Sequence, residues 1–122
     1  MKREAFRKLV AEALDSIPAS FRQRMENIAV VVEDWPPDDV LEELEIDDPY
    51  ELLGLYRGVP LDERGATWAP TLPDHIAIYQ GPIEAVAKGP GEVRRQVRDT
   101  VIHEVGHYFG LSDAEIERLT RG

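Results

Sequence analysis

The longest helix that the sequence predicts lies in residues 89–110, GPGEVRRQVRDTVIHEVGHYFG. Gly89-Pro90-Gly91 separates it from the preceding chain, and Gly110 is a typical residue for the turn that ends a helix. Valines recur at every fourth position, which places them on one face of a helix with about 3.6 residues per turn. These valines are Val93, Val97, Val101 and Val105. We therefore expect a helix over residues 92–109 that buries the valine stripe.

The face opposite the valine stripe carries two histidines. His103 and His107 are four residues apart, so their imidazoles lie one turn apart and both can reach one metal ion. Glu104 is adjacent to both and is placed to take a proton from a metal-activated water. Gly110 permits a sharp turn, after which Asp113 supplies a third ligand. Three protein ligands with one open position are typical of catalytic rather than structural zinc.

Two interpretations of this HExxH motif compete. In the first it binds a metal, and in the second two helix histidines form an accidental surface pair. By background frequencies the motif arises by chance in roughly one chain of this length in a few hundred. It uses two of the three histidines of the chain. The helical context, the glycine at 110 and the acid at 113 favour metal binding, whereas catalysis is a separate claim.

The other predicted elements indicate a single α+β domain over residues 1–122. A small mixed sheet of three to four strands is expected to pack on an N-terminal helix and on the long helix. The strand at 27–32 is a β-branched run, which we expect to be buried on both faces. A polar loop is expected over 62–71. The predicted strands are 27–32, 52–57 and 74–79. The predicted further helices are 2–16 before Pro18, 38–46 and 113–121 with Ser112 as its cap, and residues 83–88 are expected to form a short helix or a turn.

Net charge limits the classes of partner. The 122 residues include 14 basic and 24 acidic side chains, a net charge of −10. Nucleic-acid binders and proteins that bind anionic membranes need basic surfaces, so both are disfavoured, as is a nuclease function. The absence of cysteine excludes disulfides and cysteine-ligated metals. No signal peptide or transmembrane run is evident, so we expect a cytoplasmic protein. Its oligomeric state is open.

Acidic residues are concentrated in one segment. Residues 33–51 hold ten carboxylates and no basic side chain, so this segment carries the whole net charge. Its acids could form a solvated face, or the rim of a cleft that favours basic peptides. A calcium loop is the weakest interpretation, because no EF-hand pattern is present. The proposed rim consists of Asp38, Asp39, Glu42 and Glu43.

The motif gives the sequence a family resemblance. With the spacing HExxHxxGxxD over residues 103–113, the chain resembles the zincin-like metallopeptidases, and among them the small mini-zincin domains of bacteria. Residues 52–61, LLGLYRGVPL, and 73–79, PDHIAIY, resemble the strand pair ahead of the active helix in that family. The likeness spans roughly residues 26–116. It implies one Zn²⁺ held by His103, His107 and Asp113, with Glu104 as general base and a peptide or protein as substrate.

The resemblance also raises a question about catalysis. Nine residues follow Asp113, too few for the C-terminal subdomain that closes the cleft in larger zincins. We therefore expect any second donor to the transition state to lie upstream. The candidates for this role or for substrate contact are His75, Tyr79, Tyr56 and Arg57. A peptide is expected to add antiparallel along strand 76–79. The alternative function is a catalytically weak or inactive zinc-binding module for protein–protein interaction.

Three further residues of the long helix invite structural explanations. Asp99 and Thr100 lie one turn before His103 and Glu104. They either support the ligands or belong to a solvated face, and we favour the solvated face. Gly106 costs about 1 kcal/mol in a helix relative to alanine. We expect this glycine to allow close approach by a strand or a substrate.

Overall fold

The computed structural model describes residues 1–25, 28–63 and 74–121. It is an α+β fold with a three-stranded sheet, as predicted. Two 3₁₀ turns, at Pro49–Glu51 and Leu61–Glu63, join the main elements. In chain order these elements are α1 (Arg3–Asp15), α2 (Ala19–Arg22), β1 (Ile28–Glu33), α3 (Asp38–Glu43), β2 (Gly54–Arg57), β3 (Asp74–Tyr79), α4 (Gln80–Val86), α5 (Pro90–Tyr108) and α6 (Asp113–Arg121).

The sheet is mixed, with strand order β1-β3-β2. β3 pairs in parallel with β1 and antiparallel with β2. Side chains alternate between the two faces of a strand, and Ile76 and Ile78 point to the face that α5 covers, where both are fully buried. We call this the helix face. The opposite face carries His75, Ala77 and Tyr79.

The central place of β3 corrects two sequence-based expectations. Every residue of β1 is only partly buried, so the expectation that this strand is buried on both faces is wrong; β1 is an edge strand, and Asn27 lies outside the described residues. A peptide cannot add along 76–79, because β1 and β2 already occupy the two edges of that strand. Among the described strands, the edges left unpaired belong to β1 and β2.

The core lies between the helix face of the sheet and the two long helices. The valine stripe of α5 is buried as predicted, with exposed fractions from 0% to 7%. It packs against Phe6 and Val10 of α1 and against Ile76 and Ile78 of β3. Burial of this stripe fixes the rotation of α5 about its axis, and so fixes where its other face points. No helix in the described ranges is both long and apolar enough to cross a membrane.

Element boundaries differ from the predictions mainly at turns. α3 ends at Glu43, and the chain then passes through Glu45 at φ 57°. β2 begins at Gly54, two residues later than predicted, and α4 begins at Gln80 directly after β3. Most of the predicted polar loop at 62–71 lies outside the described residues. These shifts leave the order of elements unchanged.

Candidate metal centre

The two motif histidines lie at the C-terminal end of α5, on the face turned away from the valine stripe. Their ring centroids are 4.5 Å apart. Gly110 adopts φ 77°, a conformation that glycine takes without strain, and the chain turns there into α6. Asp113 Oδ1 then lies 3.8 Å from His103 Nε2 and 3.4 Å from His107 Nε2. The structure therefore brings together the three predicted ligands.

The two distances from the histidines to Asp113 are compatible with a zinc ion. Zinc holds imidazole nitrogen and carboxylate oxygen at about 2.0–2.2 Å in a tetrahedron, which places neighbouring ligand atoms roughly 3.3–3.5 Å apart. The two distances to Asp113 are at or just above this range. Ligand atoms of His103, Glu104 and His107 also lie within 4.8 Å of one another, a cluster compatible with metal binding. The donor set, two imidazoles and a carboxylate, is one that zinc accepts.

The two carboxylates of the centre occupy different positions. Glu104 is 6% exposed, and its Oε1 lies 3.2 Å from His107 Nδ1. Asp113 instead faces His107 Nε2 and is largely exposed. An imidazole that binds a metal through Nε2 carries its proton on Nδ1, and a carboxylate that accepts this proton orients the ring. These contacts are compatible with Asp113 as a ligand and Glu104 as a residue that orients His107, although Glu104 and not Asp113 belongs to the cluster of possible ligand atoms within 4.8 Å of one another.

Strand β2 holds Glu104 from the other side. The Tyr56 backbone N–H donates to Glu104 Oε1 at 2.9 Å. α5 comes this close because Gly54 has no side chain: a Cβ there would lie 2.7 Å from Thr100 Cγ2 and 3.3 Å from Glu104 Cγ. Sequence reasoning assigned no role to Gly54, although a glycine inside a strand often marks a close approach. Thr100 is buried in this contact, so its expected place on a solvated face is wrong.

Of the four candidate substrate contacts, the structure brings one to the motif. Tyr56 lies on the helix face and reaches Glu104 through its backbone, while its hydroxyl donates to Asp74 Oδ2 at 2.6 Å. Arg57, His75 and Tyr79 all lie on the opposite face of the sheet. Arg57 forms a salt bridge with Glu43 of α3 at 2.5 Å. These three side chains are therefore separated from the histidines by the sheet.

Tyr79 has a perturbed ionisation. Burial raises its pKa, and the neighbouring Glu33 carboxylate raises the pKa further because it disfavours a second negative charge. The side chain is 2% exposed. Its phenol therefore stays neutral well into the alkaline range, and its place in the structure is that of a core residue.

Two local features define how helix α6 begins and how it packs against α5. Ser112 Oγ accepts a hydrogen bond from the Glu115 N–H at 3.2 Å, and Glu115 Oε1 accepts one from the Ser112 N–H at 3.1 Å. This confirms Ser112 as the cap, and the bond from its N–H lowers the pKa of Glu115. At Gly106 a Cβ would lie 2.5 Å from Ile116 Cγ1. The close approach at Gly106 thus comes from α6, not from a strand or a substrate as expected.

A cleft of about 440 Å³ leads to the two histidines. One wall is the segment 51–55, which includes the start of β2. The other wall is one face of α5, formed by Gln96, Asp99, Thr100, His103, Glu104 and His107. The helix face that carries His103 and His107 is therefore open to a small molecule or a peptide segment.

Comparison with known proteins places the chain in a family. The sequence profile of the zincin-like metallopeptidases matches residues 25–122. The chain belongs to the zincin-like metallopeptidase family. This zincin-like chain is also similar to the solved structure of a conserved hypothetical protein from T. thermophilus, with 25% sequence identity and a TM-score of 0.61. The match covers 96% of this chain and 99% of that chain. A search of curated proteins gave no match.

Proposed function

We propose that this zincin-like chain is a zinc-dependent peptidase. His103, His107 and Asp113 hold one Zn²⁺, and Glu104 acts as general base. The observation that carries the proposal is the convergence of two histidine Nε2 atoms and Asp113 Oδ1 at the end of an open cleft. Family membership supports the same reaction class.

Zinc, when bound, supplies Lewis-acid activation of a water and of a substrate carbonyl. The chain supplies the base and its orientation. Glu104 lines the cleft, where its carboxylate can accept a proton from the attacking water and return it to the leaving amine. The hydrogen bonds from Tyr56 and His107 hold this carboxylate in one position, which reduces the reorganisation that proton transfer requires.

The substrate path follows the free edge of β2. The Tyr79 N–H donates to the Leu53 carbonyl at 2.9 Å, so by alternation Leu53 and Leu55 direct their backbone groups toward β3. Gly54 directs its backbone N–H and C=O to the other side, where the cleft lies. An extended peptide can add antiparallel along this edge. This path replaces the one expected along 76–79.

A peptide-library digest tests the peptidase proposal. Zinc-loaded wild type is expected to cleave peptides, and Glu104→Gln is expected to lose cleavage by about 100-fold or more, the scale of a general base. His103→Ala serves as the metal control and is expected to lose both zinc and cleavage. Stoichiometric zinc in the wild type without any Glu104-dependent cleavage would contradict the peptidase proposal and favour the interaction module.

A further inference from the structure

We propose that the cleft selects substrates with a lysine or arginine just after the scissile bond, through Glu51 and Asp99. This inference rests on the proposed peptidase function and names its substrate class. Glu51 and Asp99 face the same cleft from its two walls. Neither residue is a ligand of the metal centre or a partner of Glu104.

The charge of the cleft supports this selection. Its lining contains three carboxylates, those of Glu51, Asp99 and Glu104, and no lysine or arginine. Glu104 is held by Tyr56 and His107. Within the described ranges, Glu51 and Asp99 have no basic partner. The ammonium group of a substrate lysine, or the guanidinium group of a substrate arginine, can therefore pair with Glu51 and Asp99.

The direction of the chain places these two acids on one side of the metal centre. β2 and α5 run the same way, since Gly54 lies against Thr100 and Tyr56 bonds Glu104 two residues further along the strand. Glu51 precedes β2 and so lies toward the N-terminal end of α5, as does Asp99. A peptide antiparallel to β2 runs from the histidines toward Glu51. The residues after the scissile bond therefore face Glu51 and Asp99.

The hydroxyl of a buried threonine at the same end of the cleft gives a second, independent indication of a ligand. Thr100 lines the cleft and is 7% exposed. No hydrogen bond to its side chain is found from any residue in the described ranges. Its oxygen is not one of the fully buried atoms without a partner among the described residues, so it keeps contact with solvent, and a polar group of a substrate in the cleft can bind it. Its position next to Asp99 on α5 places it beside the proposed cation site.

The acids of α3 provide a contrast. The residues expected to form an acidic rim, Asp38, Asp39, Glu42 and Glu43, are absent from the lining of the cleft. Glu43 instead pairs with Arg57 on the opposite face of the sheet. Neutralising Glu51 and Asp99 changes the net charge of the protein by the same amount as neutralising two acids of α3. Local selection by Glu51 and Asp99 can therefore be separated from a general effect of the acidic protein.

The test uses matched peptides that differ only in the residue after the cleaved bond, which is lysine, glutamine or glutamate. Cleavage is measured with wild type, with Glu51→Gln/Asp99→Asn, and with Asp38→Asn/Asp39→Asn as the charge-matched control. Exposed ion pairs are individually weak and screened by salt, so we expect about a tenfold preference for lysine over glutamate in wild type at low ionic strength. The preference should fall to about twofold in the first variant and stay unchanged in the control.

Peptide binding to zinc-loaded Glu104→Gln protein, followed by fluorescence anisotropy, separates this inference from the proposed function. A lysine preference that depends on Glu51 and Asp99 supports the inference even if wild type cleaves nothing, an outcome that would overturn only the peptidase proposal. An equal affinity for lysine and glutamate peptides would overturn the inference. A preference that survives Glu51→Gln/Asp99→Asn, or falls equally in the control, would overturn it as well.

Discussion

Replacement of Gly54 by alanine tests how closely α5 must approach β2. The new methyl would lie 2.7 Å from Thr100 Cγ2 and 3.1 Å from the Ala77 carbonyl oxygen. Carbon atoms in contact are about 3.5–4.0 Å apart, so helix and strand must separate by about 1 Å. The hydrogen bond from Tyr56 to Glu104, now 2.9 Å, would then lengthen to about 3.9 Å and be lost.

Gly54→Ala is expected to lower both the stability of the fold and its affinity for zinc. Overpacking of this kind lowers the free energy of unfolding by about 1–3 kcal/mol, and each kcal/mol lowers Tm by about 4 °C in a domain of this size. Glu104 would also hold the His107 ring less firmly, and loss of such a supporting contact weakens metal affinity by about 10–100-fold. We expect Gly54→Ala to show both effects in thermal unfolding and in zinc titration with a competing chelator.

Two further variants make this prediction specific. Gly91→Ala is the matched control, because a Cβ at Gly91 meets nothing within 4 Å; it should be neutral or stabilising by up to about 1 kcal/mol. Thr100→Ser removes the methyl that collides, so the cost of Gly54→Ala should shrink in that background. If Gly54→Ala is as stable as wild type, or if Thr100→Ser leaves its cost unchanged, the proposed contact does not control the position of α5.

Three other changes have expected outcomes. Ser112→Ala should destabilise α6 by about 1 kcal/mol and weaken zinc binding, because α6 carries Asp113; zinc competition that matches wild type would refute this. Gly106→Ala should lower Tm, since its methyl would overlap Ile116; unchanged thermal unfolding would show that the two helices adapt. The raised pKa of Tyr79 contributes stability that is complete below about pH 10, the ordinary tyrosine value, and is lost as the pH rises through the raised pKa. Tyr79→Phe should therefore flatten the loss of stability in alkaline urea titrations, and identical pH profiles would contradict the burial effect.

The sequence predicts local features well because they depend on nearby residues. The valine spacing of α5, the glycine that ends it and the cap at Ser112 each act within a few residues of chain. The three candidate ligands come from one short motif for the same reason. Strand β3 was also predicted with its observed limits, since its apolar run is bounded by turn residues.

Long-range placement was harder to predict, for a physical reason. Which strand lies in the centre of a sheet depends on pairing between distant segments. For this reason too much burial was predicted for β1, and a free edge was predicted for β3, which is the central strand. The face on which Arg57 lies depends on the register of β2 against β3, which no local pattern reveals. Gly54 and Thr100 acquire their roles only through contact with each other. The functional cleft thus depends on tertiary contacts.

Zinc affinity measured on two carboxylate variants tests the central claim most directly. If Asp113 is a ligand and Glu104 a base that orients His107, Asp113→Asn should lose far more zinc affinity than Glu104→Gln. The amide oxygen of glutamine can still accept from Tyr56 and His107, so Glu104→Gln should stay within about tenfold of wild type. The account predicts this order in a competitive zinc titration. The reverse order, with Glu104→Gln losing zinc and Asp113→Asn retaining it, would contradict the account.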